Sequence, residues 1–143
     1  MDSSFRRLSL PARVEFVRKF IEFVRGGAES VGLESEDIAR LDLVLEEILV
    51  NISRYAYDGE TGDAEVAYAP GHGALFIEIT DCGRSFNPLE AAHPDLALGL
   101  ADRPIGGLGV LLVKQIVGSL RYRRENDRNK LSFRFPGPRA VGT

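Results

Sequence analysis

Residues 35–54, SEDIARLDLVLEEILVNISR, decide how the rest of the chain is read. At about 100° per residue, Ile38, Leu41, Leu45, Ile48, Leu49 and Ile52 fall within one stripe about 100° wide, the width of a helix face laid on a core. Ser35 offers a capping hydroxyl, and Glu36 and Asp37 complement the positive end of the helix dipole. Glu47, Asn51 and Arg54, spaced four and three apart, share the opposite side. Polar residues opposite a core stripe are ordinarily solvated. Here Leu43 and Val50 flank them, so that side is not plainly wet. A carboxylate and a carboxamide within one turn suit a magnesium–nucleotide site, because Asn offers the metal a hard neutral oxygen while Glu can accept a proton from an attacking hydroxyl.

Outward from this helix, the segment 4–10 with Phe5, Leu8 and Leu10 reads as a short strand. Pro11 then opens a helical stretch carrying Val14, Val17, Phe20, Ile21 and Val24, which Gly26-Gly27 stops in a left-handed cap. On the far side Tyr57-Asp58-Gly59 supplies turn chemistry. Residues 64–69 and 74–80 follow as strands of a hairpin joined by Pro70-Gly71-His72-Gly73. From 81 to 107 no period is sustained, and loops of that length in a small domain are usually functional or mobile. A third helix is expected over about 108–117, and residues 120–124 and 130–135 form a second hairpin around Asn126-Asp127. Residues 136–143 read as a flexible tail. Paired hairpins with helices between them predict one α+β domain over 1–143. It is a two-layer sandwich, a mixed, mostly antiparallel sheet covered on one face by about three helices.

Composition narrows the classes of function. The chain has 143 residues, 44% of them hydrophobic, with 18 basic and 21 acidic side chains, enough for a core of its own. The net charge of -3 provides no general field for nucleic acid or an anionic membrane. Arg121, Arg123, Arg124, Arg128 and Lys130, with Tyr122 and Phe133 interleaved, could suit RNA, but the net charge favours reading them as edge charges that resist strand-to-strand association. The single cysteine, Cys82, cannot close an internal disulfide, which points to a reducing compartment. No signal-peptide core or bilayer-length apolar run is present, so a cytoplasmic protein is expected.

Two further stretches carry chemistry. In Asp81-Cys82-Gly83-Arg84-Ser85-Phe86, an aspartate leaving a strand can accept a hydrogen bond from an amine on a planar ring, and Gly83 lets the backbone approach that ring. In Gly106-Gly107-Leu108-Gly109, glycines at a helix start leave N–H groups bare where the dipole favours an anion, so phosphate is a natural ligand. The second stretch is neither a Walker loop nor a dinucleotide fingerprint, since no Gly-Lys-Ser/Thr follows and Leu112 stands in place of the third glycine.

The order of these stretches resembles the nucleotide-binding domain of the gyrase, heat-shock chaperone, histidine kinase and MutL ATPase superfamily, the Bergerat-type ATP-binding fold, over nearly the whole chain. In its short stand-alone form, the chain is most similar to the bacterial anti-sigma-factor serine-protein kinases. That resemblance implies that Glu47 is the catalytic base, that Asn51 holds Mg²⁺ bridging the ATP phosphates, and that Asp81 and Gly83 recognise adenine. It further implies that Gly107, Leu108 and Gly109 hold phosphate, that about 87–106 is the ATP lid, and that Arg103 and Lys114 are phosphate candidates. The implied partners are a sigma factor and an anti-anti-sigma protein phosphorylated on serine or threonine, and relatives of this kind often form homodimers. Two departures, Ser85 in place of a second glycine and Ile105 in place of an arginine, leave open a nucleotide-gated partner-binding module without kinase chemistry. His72 and His93 lack the helical setting of a phosphoaccepting histidine.

Overall fold

The computed structural model describes residues 5–57, 59–85, 87, 113–117 and 120–137. In chain order the elements are β1 (Arg6–Pro11), a single 3₁₀ turn (Val14–Phe16), α1 (Val17–Ser30), α2 (Ser35–Tyr55), β2 (Asp63–Pro70), β3 (Leu75–Asp81), β4 (Leu120–Glu125) and β5 (Arg128–Phe135). Residues 113–116 are also helical and lie where the third helix is expected. The five strands form one sheet in the order β1-β2-β3-β5-β4. All four pairings are antiparallel, so the mostly antiparallel sheet expected from the sequence is wholly so among the described residues.

Side chains that alternate across a strand sort the sheet into two faces. On the inner face, the register sets Ile77 opposite Phe133 and Ile79 opposite Leu131. These pack with Phe20 and Val24 of α1 and Leu41, Leu45, Ile48 and Ile52 of α2 in one buried cluster, which Val113 and Val117 complete. The outer face carries ion pairs instead, Arg7 with Glu65, Arg123 with Glu78 and Lys130 with Glu125. The hairpin turn at Asn126-Asp127 forms as expected, both residues adopting the positive φ that matches strand twist.

Three local expectations are corrected. Pro11 closes β1 rather than opening a helix, and α1 begins only after the 3₁₀ turn. Helix α1 also runs through Gly26-Gly27. Gly27 is there because a Cβ would lie 2.3 Å from the Tyr68 ring of β2, so it lets the helix settle on the sheet. The left-handed cap is Gly32, at φ +77. Around it, Leu33 N–H donates to Ala28 O and Gly32 N–H to Glu29 O, the paired bonds that satisfy orphan carbonyls at a helix end. Finally, Ser35 is the first residue of α2, not its cap. Glu34 takes the capping position with extended backbone and no side-chain bond.

Candidate functional site

Helix α2 brings two of the singled-out residues into contact. The Asn51 Nδ2 donates to Glu47 Oε2 at 3.0 Å, one helical turn away. Asn51 is only 1% exposed, which corrects the expectation that it lies with Arg54 on the side opposite the core stripe. The reason lies in the helical angle: Asn51 follows Val44 by seven residues, about 20° short of two turns, and Val44 is itself fully buried. The buried arc is therefore wider than the apolar stripe and includes a carboxamide. Glu47 is half-buried. Burial raises its carboxyl above the ordinary value, with the Asn51 hydrogen bond opposing, the neighbouring Glu46 adding to the rise and Arg54 drawing it down. A carboxylate moved toward neutrality is a better proton acceptor.

The second site is built where β3 ends. Asp81 is 2% exposed, and its Oδ1 accepts from Gly83 N–H at 2.9 Å and from Asn129 Nδ2 at 2.8 Å. Burial raises this carboxyl too, opposed by those two hydrogen bonds and by the charge of Arg124. Both hydrogen bonds end on the same oxygen, so among the described residues Oδ2 keeps its accepting capacity. Cys82 is exposed, its N–H bound to the Tyr57 hydroxyl at 2.8 Å.

The two sites are joined through the last turn of α2. Arg84 donates from its backbone N–H to Ala56 O and from Nε to Tyr55 O, both at 3.0 Å. A Cβ on Gly83 would lie 2.3 Å from Ala56 O. Gly83 thus clears room for helix α2, which differs from the sequence expectation that it clears room for a ring. From Asn51 to Ala56 is five residues, about 7.5 Å along the helix axis. Between this turn and the strand end lies a cavity of about 470 Å³, lined by Ala56, Tyr57, Glu60, Cys82, Gly83 and Arg84.

Sequence reasoning missed three residues that shape this region. Asn129 of β5 sits opposite Asp81 in the strand register. Tyr122 donates its hydroxyl to Asn129 Oδ1. Arg124, expected to be only an edge charge, donates from Nη1 to Gly83 O at 2.7 Å and to Asn129 Oδ1 at 3.2 Å. Strand β4 is the sheet edge, as that expectation required. The available signal was the second hairpin's register, which puts a polar Asn129 on a strand face otherwise occupied by Leu131, Phe133 and Phe135.

Gly107, Leu108, Gly109, Arg103, Ile105, His93 and the lid segment 87–106, apart from Asn87, lie outside the described residues. Lys114 is exposed on the helical segment 113–116, and His72 is exposed in the first hairpin turn. Among the described residues no group of three or more His, Cys, Asp or Glu side chains is placed to hold a metal, and no helix is long and apolar enough to cross a membrane.

Comparison with known proteins adds to this geometry. A family model described as "Histidine kinase-like ATPase domain" matches residues 10–135. The serine-protein kinases RsbW of Bacillus thuringiensis, Bacillus cereus and Bacillus anthracis are each 23% identical to the chain over 132 residues, spanning 90% of it and 82% of the relative. Among solved structures, the RsbU and RsbW domains of a Mycobacterium tuberculosis protein superpose with a TM-score of 0.59 at 16% identity. That match covers 91% of this chain and 31% of the other, so the present chain spans about a third of that longer one. It is a likeness of fold.

Proposed function

Since the chain belongs to the histidine kinase-like ATPase domain family, we propose that it binds Mg-ATP and transfers the γ-phosphoryl group to a serine or threonine of an anti-anti-sigma protein. In the same cycle it would hold a sigma factor out of action. The observation that carries this reading is the attachment of the Asp81 turn to the last turn of α2 by Arg84 and Gly83, one turn beyond the Glu47–Asn51 pair. In this reading the base-recognising carboxylate sits beside the end of the helix that carries the metal-and-proton pair.

The residues present suit the nucleotide. Asp81 is buried and accepts both hydrogen bonds on Oδ1, leaving Oδ2 to accept from the exocyclic amine of adenine. Asn51 is a hard oxygen donor whose Nδ2 is engaged by Glu47, which turns the carbonyl end away from that carboxylate. When bound, Mg²⁺ offsets charge on the phosphates and orients them. Gly107, Leu108 and Gly109 belong to the proposal as phosphate contacts. Glu47 takes the proton of the acceptor hydroxyl as its oxygen forms the new bond to phosphorus. The bond from phosphorus to the β-phosphate oxygen breaks and ADP leaves. The half-burial that raises the Glu47 carboxyl suits it to that proton. We also place the protein in the cytoplasm, where its one cysteine needs no disulfide partner.

The test is transfer of labelled phosphate from ATP to a small partner protein carrying an acceptor serine, alongside thermal unfolding with Mg-ATP. Binding to the folded state alone stabilises it by about 2.7 kcal/mol at a hundredfold excess over Kd. Transfer that disappears in Glu47→Ala, with the thermal shift retained, supports the kinase. A thermal shift with no transfer in the wild type leaves the nucleotide-gated binding module, and no shift overturns nucleotide binding.

A further inference from the structure

We propose that Asn129 sets the base specificity of this nucleotide site, holding Asp81 in one orientation so that a single carboxylate oxygen is offered to the amino group of adenine. This rests on the nucleotide reading given above. Every hydrogen-bonding capacity of the Asn129 carboxamide is used. Its Nδ2 donates to Asp81 Oδ1 at 2.8 Å and to Arg84 O at 2.7 Å. Its Oδ1 accepts from Tyr122 Oη at 2.5 Å and from Arg124 Nη1 at 3.2 Å. Arginine only donates, so Arg124 dictates which end of the amide faces it. Turned over, the amide would set its oxygen against the Asp81 carboxylate and the Arg84 carbonyl. With Gly83 N–H and Asn129 Nδ2 both on one oxygen, Asp81 is locked by two donors, one from its own turn and one from the neighbouring strand.

The lock matters because a carboxylate that can turn is poorly selective. It can accept from the 6-amino group of adenine or swing to the N1–H of a 6-oxopurine. Locked, it meets the 6-oxo group of inosine as oxygen against oxygen, and sites built around a substrate N–H or O–H reject analogues that lack it. Asn129 is therefore a positioning residue, acting through Asp81 and not on the nucleotide.

Affinities of Mg-ATP and Mg-ITP, which differ at the 6-substituent and the proton on N1, measured calorimetrically on the whole chain, test this. The wild type is expected to prefer ATP, and Asn129→Ala to lower the ATP-to-ITP ratio by about tenfold or more. Asn129→Asp places a second carboxylate beside Asp81, and two such groups share a proton. A proton on Asp81 makes it a donor to the 6-oxo group, so ATP affinity falls while ITP affinity holds or rises. Tyr122→Phe, which removes one hydroxyl, moves the ratio the same way by less, and serves where the Asn129 variants do not fold. Parallel weakening of both nucleotides in these variants overturns the proposal, as does a wild type that binds both equally. A wild type that binds neither overturns the nucleotide reading itself.

Discussion

Gly83 presses its α carbon against Ala56 so closely that a Cβ would lie 2.3 Å from the Ala56 carbonyl oxygen. That carbonyl also accepts the Arg84 N–H, so one backbone oxygen at the end of α2 anchors the turn that follows Asp81. The helix carrying Glu47 and Asn51 and the turn that follows Asp81 are in this way joined.

Gly83→Ala is expected to push the turn off the helix, because the obstacle is backbone and cannot swing aside. Overpacking of this kind costs about 1–3 kcal/mol. Urea unfolding should report that loss, and the Mg-ATP thermal shift should shrink further than stability alone accounts for. A variant with wild-type stability and a wild-type shift would show that the two sites are not coupled here.

Adjacent glycines in α1 provide a paired test. Gly26 has nothing within 4 Å of a built Cβ, whereas at Gly27 the Tyr68 ring lies 2.3 Å away. Gly26→Ala is expected to stabilise by about 0.5–1 kcal/mol, the ordinary gain of alanine over glycine inside a helix. Gly27→Ala should destabilise by about 1–3 kcal/mol by driving α1 from the sheet. Equal effects at the two positions would contradict the packing of α1 on β2.

Those glycines also show where sequence stops being informative. Periods of 3.6 and 2 identify α2 and the strands because burial repeats with them, and Asn126-Asp127 announces its turn by local backbone preference. Gly26-Gly27 carries the same local signal as a helix stop. Its meaning is decided by Tyr68, more than forty residues away and brought close only by the fold. The burial of Asn51 and the inward reach of Arg124 are of the same kind. Each depends on what covers a position, which neither period nor propensity records. Glu47, Asn51 and Asp81 were singled out as candidates by residue type and by the order of their stretches along the chain. Asn129 and Tyr122 were not, since their partners come from strand register.

The pH dependence of transfer should carry the signature of Glu47. A general base works ionised, so the rate is expected to rise with pH and level off above a pKa displaced upward from the ordinary 4.5. Glu46 contributes to that displacement through its charge, so Glu46→Gln should move the acid limb to lower pH and leave the plateau in place. Glu47→Gln should lower the plateau by about 10²–10⁴ and remove the limb. A limb unmoved by either substitution would assign the proton to another group.

Asp81→Asn separates folding from binding. Burial raises the Asp81 carboxyl above 3.8, so the folded state holds that proton more tightly than the unfolded chain. Stability from this group is fully present below 3.8 and is lost as pH rises through the folded value. At neutral pH the wild type carries that cost and asparagine does not, while the asparagine oxygen can still accept from Gly83 and Asn129. The ligand-free variant is therefore expected to melt at or above the wild-type temperature at pH 7, with its advantage shrinking as the solution is acidified. Its thermal shift with Mg-ATP should be lost, because the amide turns an N–H toward the adenine amine and sets donor against donor. Retention of that shift would remove Asp81 as the base-recognising group, whatever the unfolding curves show.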